Sequence, residues 1–200
     1  VSEPVIARPK GRPATFFEDG LAAHVSFADP FCAVLSGIVT EATEEVGATV
    51  HSRGTYVVME GPAFSTRAES HLYRSWGADV VGMTALPEAK LAREAELCYA
   101  TMAFVTDYDC WHESEESVSV ELVVKNLLKN VETSRAIVRR VAPAIATSRQ
   151  CSCADALNGA IISNTDQLPE ETKRRLAAIV DKYLGVSGEV GEMPRQEPGE

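Results

Sequence analysis

A chain of 200 residues, 45% hydrophobic and 24% charged, has the make-up of one soluble globular domain that buries most of its apolar surface. Its net charge of −10, with no basic stripe, excludes the clustered Lys and Arg that a nucleic-acid backbone demands. No apolar run reaches the length of about eighteen residues that a membrane span needs, and residues 1–10 lack the order of a signal peptide, so the expected address is the cytoplasm.

In chain order, residues 1–20 carry prolines 4, 9 and 13 with Gly11 and Gly20 and read as loop. The basic group Arg8, Lys10 and Arg12 reads there as a solvated stretch. Residues 32–48 have helical spacing through Val34, Leu35, Ile38, Val39, Ala42 and Val46, stopped by Gly47. A strand is expected at 56–59, then a helix at 66–76 capped by Ser65 or Thr66 and stopped by Gly77. After a brief strand at 79–81, Pro87 opens a helix reaching about residue 97. The continuous apolar run 98–105 suits a strand buried on both faces. Two more helices are expected at 118–141 and 170–183, followed by a disordered tail at 186–200 that leaves one domain at 1–185. Strands alternating with helices give an α/β fold with a mostly parallel central sheet, whose ligands bind beyond the carboxyl ends of the strands. That rule points to the turns after Val81 and after Val105.

Cysteine usage adds little. The five cysteines, 32, 98, 110, 151 and 153, form an odd set without framework spacing and are expected as thiols. Only Cys151 and Cys153 lie close in sequence; a redox-labile or metal-touching pair is the other reading, but no second Cys/His pair accompanies them and a structural zinc needs four ligands, so plain thiols and no metal are expected.

Three segments carry chemistry-bearing residues. Thr106-Asp107-Tyr108-Asp109-Cys110-Trp111 follows the most apolar run, and side chains two apart on an extended chain point the same way. Paired carboxylates in apolar surroundings raise one pKa and leave an acid able to donate a proton. Structural capping of a loop by the same aspartates, or magnesium binding with further oxygens, are the other readings of this spacing. In Glu60-Gly-Pro-Ala-Phe-Ser-Thr-Arg-Ala-Glu69, Phe64 offers a ring for stacking on a planar base or for the core. In Gly82-Met-Thr-Ala-Leu-Pro-Glu88, Gly82 lets backbone approach a ligand, Met83 is a polarisable wall and Thr84 a hydroxyl. A plain turn with an N-cap before Pro87 explains the same residues equally well. His24 sits in loop, and spacing assigns it nothing.

In chain order, residues 60–69, then 76–88, then 106–111, these motifs resemble the trimeric nucleoside phosphorylases, in particular the methylthioadenosine phosphorylase branch, from about Arg12 to Val141. The resemblance implies the nucleoside phosphorylase fold, a mixed central sheet flanked by helices, here without its N-terminal strands. It implies phosphorolysis of an adenine nucleoside with inorganic phosphate as co-substrate, no cofactor and a homotrimer. Adenine presents N7 as acceptor beside a 6-amino donor, so one protonated carboxyl group serves both, whereas an asparagine suits a 6-oxopurine. Asp107 is then the general acid, supported by Asp109. By resemblance Phe64 stacks on the base, Met83 contacts ribose and base, Thr106 belongs to the same wall and Thr84 touches phosphate. Ser65 and Val120 match positions that distinguish methylthioadenosine, and His24 matches a histidine lent by a neighbouring subunit to the 5′ end. The family's glycine-rich phosphate loop and its Arg-His phosphate pair have no counterpart in this sequence. Little activity is therefore expected of these 200 residues alone. A 6-oxopurine phosphorylase and a non-catalytic nucleoside-binding remnant are the alternative readings.

Overall fold

The computed structural model describes residues 4–112 and 120–184. Among these, three short strands, β1 (Val5–Ala7), β2 (Tyr56–Val58) and β3 (Val80–Gly82), make a parallel sheet in the order β1-β2-β3. Val57 stands between Ile6 on one side and Val81 on the other. The helices are α1 (Ala33–Glu45), α2 (Arg67–Ser75), α3 (Ala85–Glu94), α4 (Val120–Ala144) and α5 (Glu170–Val180). The expected α/β class with parallel pairing holds, and central β2 is buried along its whole length, as an aromatic and β-branched run between two neighbours should be.

Local chemistry sets the helix ends. The Cys32 thiol accepts from the Leu35 amide at the start of α1, and Gly47, at φ +78°, takes the left-handed turn after it. Thr66 and Glu69 form a reciprocal capping box on α2, whose backbone and hydroxyl donors hold the Glu69 carboxyl below its ordinary range. Within α3 the backbone leaves helical geometry at Leu86 (φ −120°, ψ 134°), because the ring of Pro87 pushes the preceding residue into extended conformation. The regular part of α3 therefore starts at Pro87, as the sequence implied.

Two expectations need correction. Residues 5–7 lie in what the sequence presents as loop, yet they form β1: pairing with β2 outweighs the flanking prolines. Residues 98–105 do not form a strand. An apolar run becomes one only beside a chain that completes its ladder. Here Tyr99 O accepts from the Cys32 amide, while Thr106 O and Val105 O accept from Asn126 and Asn130 of α4. Val105 is 66% exposed. The expected tail at 186–200 and the first two residues of the helix expected at 118–141 fall outside the described residues.

The core has two parts. Phe31, Tyr56, Val58, Ala85, Leu86 and Ala89 pack the sheet against the start of α3. Phe17, Leu21, Leu157, Leu168, Leu176 and Val180 join the early loop to α5. Each fully buried aliphatic side chain here stabilises by roughly 1.5–3 kcal/mol. Glu96, just past α3, ties into the second part. Its nearly buried carboxylate accepts from the Leu157 amide at 3.0 Å, from the Tyr183 hydroxyl and from Lys182 Nζ at 2.6 Å. Burial pushes its pKa up, but the Lys182, Tyr183 and Leu157 donors outweigh that and hold it below the ordinary value.

Candidate functional site

Two of the three motif segments leave the sheet side by side. The Met59 amide donates to Gly82 O at 2.8 Å, so the turns after β2 and β3 form one ledge at the carboxyl ends of the strands. Contact there is tight: a Cβ on Gly61, at φ +69°, would meet Met83 Sδ at 2.6 Å. A Cβ on Gly82 would meet the Tyr56 hydroxyl.

Arg12, expected in a solvated stretch, locks this ledge instead. Its Nε pairs with Glu60 at 2.8 Å and Nη1 donates to the carbonyls of Met83 and Leu86 at 2.5 and 2.9 Å. Two adjoining turns leave several carbonyls without ladder partners, and a guanidinium has the donors to satisfy them together. The Lys10 amide and Arg12 hold the Glu60 carboxyl below its ordinary pKa.

The third segment lies along α2. Ser70 Oγ donates to Asp109 Oδ2 at 2.8 Å, Cys110 Sγ to Ser65 O at 3.4 Å, and the Arg74 guanidinium stands 3.5 Å from the Trp111 ring centroid. Asn126 of α4 fixes Thr106 O from the other side at 2.6 Å. Asp107 and Asp109 do not project together from a strand end as the sequence suggested. The segment turns, with Asp109 at φ +61°, and Asp107 Oδ1 accepts the Asp109 amide at 2.9 Å in an Asx-type bond. Thr106 Oγ1 donates to Asp107 Oδ2 at 2.7 Å, and the Cys110 amide to Asp109 Oδ1 at 2.8 Å. Both aspartates remain half-buried. Asp109 is thus held from α2 as well as from its own loop, whereas among the described residues the donors to Asp107 are local.

The remaining candidates divide. Phe64 is 71% exposed at the lip of the ledge rather than in the core. Ser65 Oγ contacts Met59 Sδ at 3.4 Å, and Met83 is half-buried against Gly61. Thr84 occupies the N-cap of α3, exposed and without a side-chain capping bond. His24 is attached elsewhere: its amide donates to Ala160 O at 2.8 Å, in the part of the chain packed with α5. Val120 opens α4, and its side chain lies outside the described residues. Sequence reasoning missed Ser70 and Arg12. The nearest signals were a serine on the inward face of an amphipathic helix and one arginine before two glycine turns.

A second cluster joins cysteines that lie far apart in the sequence. The sulfurs of Cys32, Cys98, Cys151 and Cys153 all lie within 4.8 Å of one another. Burial and the neighbouring Cys151 push Cys98 up, and burial with Cys151 and Cys32 raises Cys153 to about 11. Against burial, the Cys153 amide and Cys98 bring Cys151 down to about 7. A shallow depression of 390 Å³, lined by Glu96, Arg149, Ala177 and Lys182 among others, shares no residue with either cluster. Its lining carboxylate and ammonium already pair with each other.

The ledge offers an exposed ring, a thioether and the Thr84 hydroxyl, and the adjoining segment, tied to Ser65 and α2, carries two braced carboxylates, a set suited to a planar ligand with donors and acceptors on its edge. Residues 1–143 match the model of the phosphorylase superfamily. The chain is 53% identical over 178 residues to the S-methyl-5′-thioadenosine phosphorylase of Koribacter versatilis, covering 89% of this chain and 61% of that protein. Against the enzyme of the same name from Geobacter sulfurreducens it is 54% identical, covering 86% and 60%. The fold superposes on a methylthioadenosine phosphorylase from an antarctic soil metagenomic library with a TM-score of 0.83 at 43% identity, over 89% of this chain and 63% of that one. It also superposes on a Schistosoma mansoni methylthioadenosine phosphorylase in complex with adenine, with a TM-score of 0.71 at 28% identity, over 90% and 64%. The chain thus spans about three-fifths of the length of these relatives.

Proposed function

The chain belongs to the phosphorylase superfamily, and on that premise we propose that it forms the purine side of an S-methyl-5′-thioadenosine phosphorylase, a pentosyltransferase. The observation that carries this reading is the Asp107/Asp109 pair, braced by Ser70, Thr106 and two backbone amides, in a segment tied by Cys110 Sγ to Ser65 O, the residue after exposed Phe64. In the reaction, a phosphate oxygen forms a bond to C1′ of the ribose while the bond from C1′ to N9 breaks. The electron pair passes to the purine, and Asp107 gives its proton to N7 and accepts from the 6-amino group. Asp109, held by α2, keeps the segment in place and lowers the cost of orienting it. Phe64 stacks on the base, Met83 walls base and ribose, Thr106 orients Asp107, and Thr84 contacts phosphate. Ser65 and Val120 shape the methylthio end. Inorganic phosphate is the co-substrate, no further cofactor takes part, and the products are adenine and 5-methylthioribose 1-phosphate, as in methionine salvage. The assembly is a homotrimer in which a neighbouring subunit lends His24 to the 5′ end. A cytoplasmic address agrees with the lack of a membrane-spanning helix among the described residues.

The test is phosphate-dependent release of adenine by the whole protein that carries this chain, with methylthioadenosine and inosine compared. Asp107→Asn should lower kcat/KM for methylthioadenosine by about 10²–10⁴-fold, the usual worth of a general acid. Equal activity of the variant would remove Asp107 from the chemistry, and a preference of the unaltered protein for inosine would favour a 6-oxopurine substrate.

A further inference from the structure

We propose that Cys32, Cys98, Cys151 and Cys153 form a tetrathiolate site for one zinc ion, separate from the nucleoside ledge. The four cysteines come from three distant parts of the chain: the N-cap of α1, the segment after α3, and the 3-10 turn at Ser152–Asp155 with the residue before it. Their sulfurs nonetheless lie within 4.8 Å of one another, the closest pair being Cys98 and Cys151 at 3.4 Å. A tetrahedral zinc with bonds of about 2.3 Å sets its sulfurs about 3.8 Å apart, so the cluster needs only small shifts to close around the ion. A pair of disulfides would instead join the sulfurs two by two; here all four converge on one centre.

The surroundings suit thiolates. The Leu35 amide points at the Cys32 sulfur at 3.5 Å, at the positive end of α1. The Cys-x-Cys spacing supplies two ligands from one turn. Cys32 and Cys153 are buried and the other two half-buried, so the site is closed by protein as a structural zinc site is. On binding, the four thiols release their protons to solvent and no electron is transferred. The ion would staple the 151–155 turn, beyond the stretch matched by the family model, to the start of α1 and the end of α3.

Metal content of the full chain, purified under reducing conditions without chelator, tests this. We expect about one zinc per chain, with four of the five thiols protected from alkylation until a chelator is added. Replacing the zinc with cobalt should give the charge-transfer and d–d bands of a tetrahedral tetrathiolate, and this measurement requires no variant. Cys153→Ser should lose the metal, and Cys110→Ser should keep it. Metal-free protein that takes up neither zinc nor cobalt overturns the proposal. So does a mass lower by two hydrogens per cysteine pair in place of metal, which would mean disulfides.

Discussion

Ser70 gives the sharpest test of how the aspartate segment is held. Its side chain is 2% exposed, and its hydroxyl donates to Asp109 Oδ2 at 2.8 Å. Ser70→Ala removes that donor and little volume. A hydrogen bond to a charged group is worth about 1.5–3 kcal/mol, and no water readily replaces it at so buried a position. If all of that loss falls on the transition state, kcat/KM drops by about 10–150-fold at about 1.4 kcal/mol per decade. Steady-state phosphorolysis by the whole protein measures this. Because Ser70 acts through Asp109, the loss should fall mainly on kcat, the pH profile should shift, and Ser70→Thr should restore part of the rate. A purely structural role would lower the melting temperature and leave kcat per folded molecule unchanged. An unchanged kcat in Ser70→Ala would refute the idea that α2 positions the acid pair.

Two further outcomes test the frame around the site. Glu96→Gln should cost about 2 kcal/mol at neutral pH, since the Tyr183 and Leu157 donors lose a charged acceptor while half-exposed Lys182 adds little. The folded carboxyl titrates below its ordinary value, so this stability is fully present above about pH 4.5 and is lost as pH falls through the folded value. Urea midpoints of the two proteins should therefore converge in acid, and a gap that persists there would contradict the assignment. Leu157→Ala empties a fully buried position in the α5 cluster and should cost about 2–5 kcal/mol, read as a fall in melting temperature of about 2–4 °C per kcal/mol.

The sequence by itself determined the elements whose causes are local. Thr66 and Glu69 cap α2, Gly47 and Gly77 end helices at positive φ, and Pro87 starts the regular part of α3. The three motif segments were legible as well, because glycine, proline and paired aspartates have few uses in such short stretches. Only the tertiary structure decided what those segments do together. Residues 98–105 are apolar enough for a strand, yet side chains of α4 take their carbonyls, and so the aspartates sit in a turn rather than at a strand end. Val5–Ala7 read as loop and became a strand because β2 lies alongside. Arg12 looked solvated until the carbonyls of Met83 and Leu86 met it across more than seventy residues. The same holds for the cysteines: with spacings of dozens of residues, nothing in the order of amino acids brings Cys32 and Cys98 to Cys151 and Cys153. Spacing along the chain records helical turns and caps, which span a few residues, while contacts between distant segments depend on how whole elements pack.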